Sequence, residues 1–379
     1  MMGNNGKKVG YFEPLLADRK EQQFNGVSKM SSRPQFFAKL RILFENACDV
    51  LPIMTTAIFS HPDCKRHEMG SWHPECPERL EAIEDQLIAG RVDSCIEHRE
   101  APAAAIQDIA RIHDAAAIAM VRDHIPSPAP QGQNSSSCTP AHAGYYPIDA
   151  DTILNEYSWK AALRAAGAAV AATDAVIAGE IDNAFCAIRP PGHHARPSGA
   201  MGFCLFNNVA IAARHALDVH GLQRVAIIDF DVHHGNGTEE AFADDPRVLM
   251  VSFFQHPFYP YSGADSTSRR HENMVNVPVP AYTGGAAVRE LVRDKWMPAL
   301  HAHRPEMIFI SAGFDAHRED DLGQMGLVEA DYAWITAQIM VVAEQYSKGR
   351  IVSCLEGGYN LSALGRSVLA HLKVLAGLD

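Results

Sequence analysis

A nine-residue segment of the chain, Asp-Phe-Asp-Val-His-His-Gly-Asn-Gly at 229–237, carries side chains that can bind a metal ion. Asp229, Asp231 and His233 are spaced two residues apart, so an extended backbone places them on the same face. The carboxylate of Asp231 and the imidazole of His233 suit a borderline metal such as Zn²⁺. A catalytic zinc site needs a third protein ligand and an open position, and Asp315, in Ala-Gly-Phe-Asp-Ala-His, is the candidate.

Two adjacent histidines, His193 and His194, are the candidate acid and base. They follow Pro-Pro-Gly, a rigid turn with no helix to bury them. Asp229 is not needed as a metal ligand and can hold the outer nitrogen of His193, which would raise the basicity of that ring. Asn236 can do the same for His194 without adding charge. The two environments would separate the pKa values of the imidazoles, as distinct acid and base roles require.

A phenol and several aromatic side chains accompany these clusters. Tyr359, in Glu-Gly-Gly-Tyr-Asn, can donate a hydrogen bond to an oxyanion that develops during acyl transfer. Aromatic rings can wall a narrow substrate channel beside the metal. The predicted lining comprises Gly202 and Phe203, then Phe258 or Tyr259, with Leu322 as an apolar rim.

Each polar cluster directly follows a short apolar segment that we predict to be a β-strand. These segments are apolar on both faces, which is typical of parallel strands covered by helices. The predicted strands are 55–59, 184–188, 225–229, 248–253, 307–311 and 351–355. Ala-rich helical segments are predicted at 159–178, 207–220, 286–303 and 329–347. This alternation predicts one doubly wound sheet, at whose carboxyl edge the polar clusters should converge on a ligand.

The composition predicts a globular enzyme. With 379 residues, 47% of them hydrophobic, the chain can bury a large core. The net charge of −12 argues against a nucleic-acid partner, and no apolar stretch is long enough for a membrane span. Eight scattered cysteines without a Cys-x-x-Cys pair, together with an N-terminus that lacks a signal-peptide pattern, predict reduced thiols and a cytoplasmic location.

Two segments differ from this globular pattern. Residues 1–53 contain eight Lys or Arg and five Asp or Glu, whereas the rest of the chain is acidic. We expect a flexible N-terminal extension over 1–53 and the catalytic domain over 54–379. The polar segment 126–146, rich in Pro and Ser, predicts a long loop near the mouth of the site.

With these residues identified, the chain resembles the zinc-dependent histone deacetylase family, nearest to its class II and bacterial members, over residues 55–375. The resemblance rests on five ordered motifs: His-Pro-Glu-Cys-Pro-Glu-Arg-Leu (73–80), Arg-Pro-Pro-Gly-His-His (189–194), the segment 229–237, Ser-Ala-Gly-Phe-Asp-Ala-His (311–317) and Leu-Glu-Gly-Gly-Tyr-Asn (355–360). It implies an arginase-like α/β domain with a central eight-stranded parallel sheet.

The resemblance also implies roles for individual residues. One zinc ion per chain would be bound by Asp231, His233 and Asp315. The catalytic residues would be His193, His194, Tyr359, Asp229 and Asn236. The walls of the channel would be formed by Phe203 and by Phe258 or Tyr259. One or two structural potassium ions would bind backbone oxygens, an inner one at Asp229, Asp231, His233, Ser252 and Phe253 and an outer one around Phe242, Asp245 and Val248. Arg79 resembles an arginine deeper in the cavity, where acetate would leave.

The implied reaction is hydrolysis of an acetyl amide. Zinc would polarise the acetyl carbonyl and acidify water, His194 would take the water proton, and Tyr359 would stabilise the oxyanion. Either His194 or His193 would protonate the leaving amine. Some family members have Asp where this chain has Asn236, and some class II members have His where it has Tyr359. The tyrosine favours a competent deacetylase.

Other functions remain open at this point. An arginase-type ureohydrolase shares the architecture but needs two metal ions, and Asp320 and Asp321 lie too far along the chain from Asp315 to favour that site. A silenced module that only binds acetyl ligands is the non-enzymatic alternative. Among deacetylase substrates, acetyl-lysine, an acetylated polyamine or another acylamine fit the acidic chain. Leu322 favours acetyl-lysine, whereas Asp149 or Asp151 could supply a carboxylate for a polyamine. A dimer or tetramer is compatible with the sequence.

Overall fold

The computed structural model describes residues 54–127, 144–264 and 272–378. The predicted N-terminal extension, 1–53, and most of the predicted loop 126–146 lie outside the described residues. The extension and its boundary at residue 54 therefore stay predictions.

Eight parallel strands form the central sheet, which confirms the predicted fold class. In chain order they are β1 (Thr56–Ser60), β2 (Glu97–Glu100), β3 (Asn183–Cys186), β4 (Val225–Asp229), β5 (Val248–Gln255), β6 (Met274–Val279), β7 (Met307–Ala312) and β8 (Ile351–Leu355). Their order across the sheet is β2-β1-β3-β8-β7-β4-β5-β6. A separate antiparallel ribbon pairs Tyr146–Pro147 with Ile153–Leu154.

Six of these strands match the sequence prediction, with ends within two residues, and the prediction missed the other two. The missed strands, β2 and β6, are the two edges of the sheet. β2 reads Glu-His-Arg-Glu and is largely exposed, and β6 contains Asn and Pro with only its ends buried. An edge strand has one unpaired side that tolerates charge and proline, so it lacks the apolar run on which the prediction relied.

The residues that the structure describes form ten α-helices around the sheet. They are α1 (Glu78–Ala89), α2 (Ile106–Ile109), α3 (Ala115–Asp123), α4 (Ser158–Ala178), α5 (Asn208–Asp218), α6 (Asn236–Phe242), α7 (Gly285–Leu291), α8 (Met297–His303), α9 (Glu329–Tyr346) and α10 (Leu361–Leu375). Short 3₁₀ turns occupy Pro62–Lys65 and Asp93–Cys95. Within the described part of the chain, α4 alone is long and apolar enough to cross a membrane, but 67% of its apolar window is buried, as in a core helix.

The predicted helix 286–303 is not one regular helix. A π-helical turn, Val292–Trp296, separates α7 from α8, and the amide of Met297 donates to the carbonyl of Val292. Pro298 has no amide hydrogen to donate to the carbonyl four residues earlier, so the regular ladder is interrupted beside it. Apolar periodicity does not detect this change, because both kinds of helix keep one buried face.

The strand register brings the functional segments to one edge of the sheet. Asp229, the last residue of β4, pairs with Ser252 on β5 and with Ser311 on β7. Leu355, the last residue of β8, pairs with Ala312 at the end of β7. The segments that follow β4, β7 and β8 therefore leave the sheet side by side.

Candidate active site

A carboxylate–imidazole–carboxylate cluster lies directly beyond the ends of β4 and β7. The candidate ligand atoms of Asp231, His233 and Asp315 all lie within 4.8 Å of one another. The Nδ1 atom of His233 is 2.9 Å from Asp231 Oδ1 and 3.2 Å from Asp315 Oδ2. The backbone amide of Val232 donates to Asp315 Oδ1 at 2.9 Å and fixes that carboxylate. The structure thus brings the three predicted ligands together.

The donor set fits a divalent cation. Asp315 Oδ2 is buried and has no hydrogen-bond donor among the described residues. Burial and the neighbouring charge of Asp231 raise the pKa of Asp315 to about 7. Burial opposes ionisation of Asp231 too, but the positive charge of His193 and hydrogen bonds from His233 hold the pKa of Asp231 well below its usual range. A cation between the two buried carboxylates would relieve their repulsion and would coordinate Asp315 Oδ2, which lacks a hydrogen-bond donor.

The tandem histidines lie beside this cluster with the partners that the sequence predicted. His193 Nδ1 is 3.0 Å from Asp229 Oδ2, and His194 Nδ1 is 2.8 Å from Asn236 Oδ1. Burial lowers the pKa of both rings. For His193 the carboxylates of Asp231 and Asp229 outweigh that effect and raise the pKa to about 10. For His194 burial and the neighbouring histidines leave the pKa well below its usual value.

A cavity of about 250 Å³ opens above the cluster. It is lined by Asp151, His194, Gly202, Phe203, His233, Phe258, Tyr259, Asp321, Leu322 and Tyr359. All the predicted channel residues line it, and Phe258 and Tyr259 both contribute where the sequence left the choice open. Phe258 stacks on His233 with ring centroids 5.4 Å apart, and Tyr259 meets His194 edge-on at 5.2 Å. Phe203 packs edge-on against Tyr359 at 5.8 Å.

The position of Tyr359 is fixed by its backbone and by its ring. Asp320 accepts hydrogen bonds from the amides of Tyr359, at 2.6 Å, and Asn360, at 2.9 Å. The guanidinium of Arg79 lies 5.0 Å from the centre of the Tyr359 ring. Burial and the charge of Asp315 raise the pKa of Tyr359 well above its usual value, so the phenol remains a hydrogen-bond donor.

Arg79 is fully buried beneath the segment that carries Tyr359. Its Nε donates to the carbonyl of Gly358 at 2.6 Å, its Nη2 donates to the carbonyl of Glu356, and its Nη1 pairs with Glu75 at 3.1 Å. These contacts show a guanidinium that holds this segment in place. The role at an acetate exit, which the resemblance implied, stays a prediction.

Two buried carboxylates near the site were missed by the sequence analysis. Glu356 Oε2 accepts hydrogen bonds from the amides of Gly192, at 2.6 Å, and His193, at 3.0 Å. It thereby fixes the turn at residues 189–194, which we call the histidine turn. Burial raises the pKa of Glu356 to about 7. Glu75 accepts Arg189 Nη2 at 2.7 Å and also bonds Arg189 Nε. Both glutamates stand inside the quoted motifs, but sequence alone does not reveal that a charge will be buried.

Replacing Glu75 by Gln is expected to destabilise the fold by about 3–5 kcal/mol, because two buried guanidinium groups lose their counter-charge. Burial opposes ionisation, but Arg189 lowers the pKa of Glu75 from 4.5 to about 2. The contribution of ionised Glu75 to the free energy of unfolding is therefore complete above pH 4.5 and disappears as the pH falls toward 2. Urea unfolding at several pH values measures both effects.

The exposed pair of Lys65 and Glu84, 2.6 Å apart, supplies the control. Glu84→Gln should lower the free energy of unfolding by less than about 1 kcal/mol, because water screens that pair. Similar losses in the two variants would contradict the role assigned to Glu75.

The potassium sites stay predictions. At the predicted inner site, the carbonyl of Ser252 accepts a hydrogen bond from Trp296 Nε1 at 3.3 Å. At the outer site, the carbonyls of Phe242, Asp245 and Val248 do converge, but they surround Asn273 Nδ2 at 3.0, 3.1 and 3.0 Å. A potassium ion at that point would have to displace the amide group of Asn273.

Comparisons with known proteins agree with the motif-based resemblance. The family described as histone deacetylase domain matches residues 73–375. Histone deacetylase 14, chloroplastic, of Arabidopsis thaliana is 37% identical over 81% of this chain and 74% of its own length. A histone deacetylase-like amidohydrolase of Pseudomonas aeruginosa is 35% identical over 81% of this chain and 77% of its own length.

Two further relatives bear on fold and substrate. The crystal structure of the HDA15 HD domain superposes with a TM-score of 0.75 at 33% identity, covering 86% of this chain and 89% of that chain. A mouse protein named polyamine deacetylase HDAC10 is 34% identical over 85% of this chain and 46% of its own length.

Proposed function

Because this chain belongs to the histone deacetylase family, we propose that it hydrolyses the acetyl amide of acetyl-lysine with one zinc ion and releases acetate. The observation that carries the proposal is the cavity itself. At its base lie the buried ligand cluster of Asp231, His233 and Asp315, and on its wall lie His194 and Tyr359. Amide hydrolysis needs a base, an oxyanion donor and an electrophilic centre around one point, and this cavity brings a candidate base and donor to the candidate ligands of a metal ion.

A zinc ion held by the ligand cluster would supply a Lewis acid that polarises the carbonyl and makes water more acidic. His194 acts on the water. Its Nδ1 hydrogen is donated to Asn236 Oδ1, so the lone pair of Nε2 is available to accept the water proton. When the carbon–nitrogen bond breaks, His194 Nε2 returns that proton to the departing amine. His193 lies between Asp229, at 3.0 Å, and Asp231, at 3.8 Å, and these carboxylates favour the protonated form of its ring.

Tyr359 completes the reaction site. Its phenol lines the same cavity as His194 and donates a hydrogen bond to the carbonyl oxygen as that atom becomes negative. The backbone contacts with Asp320 and the packing with Phe203 hold the phenol in place before the substrate arrives, so little reorganisation is needed.

Asp320 also argues against a second metal ion in the active site. Its Oδ2 accepts the amides of Tyr359 and Asn360, and its Oδ1 accepts the amide of Leu322 at 3.0 Å. A carboxylate that holds three backbone amides is a structural clamp rather than a bridging metal ligand. This observation disfavours the arginase-type ureohydrolase that shares the architecture.

Two rim carboxylates make an acetylated polyamine the second candidate substrate. Asp151 and Asp321 line the cavity beside the apolar Leu322. Burial and the adjacent Asp149 raise the pKa of Asp151 to about 6, so this carboxyl group is ionised at neutral pH. A polyamine would place a free ammonium near these carboxylates, whereas an acetyl-lysine peptide would present its backbone there.

The test compares an acetyl-lysine peptide with N-acetylputrescine, using wild type and Asp321→Asn. We expect the wild type to favour the peptide by at least about tenfold in kcat/KM, a difference of about 1.4 kcal/mol. Asp321→Asn should raise KM for acetylputrescine more than for the peptide, because the polyamine loses an ion pair. Glu319→Gln is the matched control, since Glu319 pairs with Arg366 at 2.8 Å and does not line the cavity.

A preference for acetylputrescine that Asp321→Asn abolishes would replace acetyl-lysine by a polyamine as the substrate. Failure of zinc-loaded protein to hydrolyse either compound would overturn the proposed acetyl chemistry.

A further inference from the structure

A second group of metal-binding side chains lies away from the catalytic edge. It consists of Asp174 on α4, His215 in the last turn of α5 and His220 just beyond that helix. The first turn of α5 adjoins the histidine turn, since Asn208 Nδ2 donates to the carbonyl of Pro190 at 3.2 Å. The group is therefore at the opposite end of α5 from the active site.

We propose that Asp174, His215 and His220 bind a second divalent transition-metal ion, most suitably zinc, that joins α4 to α5. The Nε2 atoms of the two histidines approach the same oxygen, Asp174 Oδ1, at 2.7 and 2.6 Å. The rings stand edge to face, with centroids 5.2 Å apart, so both nitrogens point at one place. Two imidazoles and a carboxylate are a common zinc donor set.

The Nδ1 atom of His215 gives independent support for a metal ion at Nε2. His215 is 7% exposed, and its Nδ1 is buried without a hydrogen-bond partner among residues 54–127, 144–264 and 272–378. That Nδ1 lies 3.6 Å from Asp108 Oδ1. A histidine that binds metal through Nε2 carries its proton on Nδ1 and usually directs it to a carboxylate. Asp108 is placed for that role.

Metal binding would improve the contact between His215 and Asp108. In the tautomer of His215 that donates its Nε2 hydrogen to Asp174, Nδ1 has no hydrogen to direct at Asp108 Oδ1. A metal ion on the Nε2 side moves the proton to Nδ1 and turns this contact into an attraction. Arg111 Nε donates to the same oxygen, Asp108 Oδ1, at 3.4 Å and helps to hold Asp108 in place.

The exposure of the three side chains indicates an ion that can exchange with solvent. The side chains of His215, His220 and Asp174 are 8%, 25% and 51% exposed. The protein thus covers one side of the site and leaves the side of Asp174 open, where water can complete the coordination. Such an ion would stabilise the helix pair without entering the reaction, and the inference does not depend on the proposed substrate.

Equilibrium dialysis of the full chain against zinc, with bound metal measured by mass spectrometry, tests the proposal. We expect two zinc ions per wild-type chain and one per chain in His220→Ala and in Asp174→Asn. Asp315→Asn should lose the other ion, and the double variant Asp315→Asn/His220→Ala should lose both. The melting temperature of the wild type should rise with zinc between the first and second equivalents, and that rise should vanish in His220→Ala.

Two further variants separate a built site from adventitious binding. Asp108→Asn should weaken the second ion about 10–100-fold, the usual effect of losing an outer partner of a metal-bound histidine. His98→Ala is the control, because His98 pairs with only Asp93, at 3.1 Å, on the exposed edge strand β2. It should leave two ions bound. One bound ion in the wild type, or equal binding by wild type and His220→Ala, would overturn the proposal. Asp174, His215 and His220 would then only link α4 to α5 by hydrogen bonds.

Discussion

Tyr359→Phe is expected to lower kcat by about 10²–10³ while the protein keeps its fold and its bound metal. The variant loses only the phenolic oxygen, which is the donor to the carbonyl oxygen that becomes negative. Its ring can keep the contacts with Phe203, at 5.8 Å, and with Arg79, at 5.0 Å. The substitution therefore separates oxyanion stabilisation from packing. Steady-state hydrolysis of an acetyl-lysine peptide, with metal content measured on the same sample, gives the result.

Tyr332→Phe is the matched control for this experiment. Tyr332 is fully buried outside the cavity, its ring lies 5.1 Å from that of Phe314, and its hydroxyl has no hydrogen-bond partner among the described residues. Removing that hydroxyl should leave kcat near the wild-type value and should not destabilise the fold. Near-normal turnover by Tyr359→Phe would remove the phenol from the mechanism.

Asp315→Asn is expected to abolish measurable hydrolysis and to weaken binding of the catalytic metal by more than about 100-fold, the upper range for losing only an outer-sphere partner. The amide keeps Oδ1 as the acceptor of the Val232 amide but removes the charged oxygen that lies 3.2 Å from His233. The local fold should therefore survive while the ligand set is lost. Zinc titration and peptide hydrolysis measure the two effects.

Although Asp315→Asn should weaken metal binding, it should not lower the stability of the metal-free protein. Asp231 and Asp315 are two buried carboxylates around one imidazole, and removing one negative charge relieves their repulsion. Metal-free Asp315→Asn should thus be at least as stable in urea as metal-free wild type. Glu319→Gln is the control for activity, because Glu319 lies outside the cavity and should leave hydrolysis unchanged. A less stable metal-free Asp315→Asn would argue against a site built to hold a cation.

Sequence reasoning reached the centre of the site because of strand geometry. Asp229 is the last residue of a fully buried strand, and residues 231–233 that follow it form bends rather than the extended backbone that the sequence analysis assumed. The partners of His193 and His194 were still predictable from residue types that meet at the carboxyl ends of parallel strands.

The features that sequence reasoning missed depend on distant contacts. Glu75 and Glu356 become visible as buried carboxylates only when Arg189 and the amide of Gly192 are placed against them. Asn273, the residue immediately before the edge strand β6, reaches three carbonyls with its side chain, and that strand carried no clear sequence signal. The sequence did not distinguish Asp321 from other polar loop residues, and only the fold shows that it lies on the rim of the cavity.

The most direct test of the central claim is the product balance of acetyl-lysine peptide hydrolysis by the full chain. Metal-depleted protein, protein reloaded with zinc, and reloaded Tyr359→Phe would be compared for acetate and free lysine amine. We expect one acetate for each amine with reloaded wild type, almost none with metal-depleted protein, and about 10²–10³ less with the variant. Equal product formation with and without metal, or amine release without acetate, would contradict it.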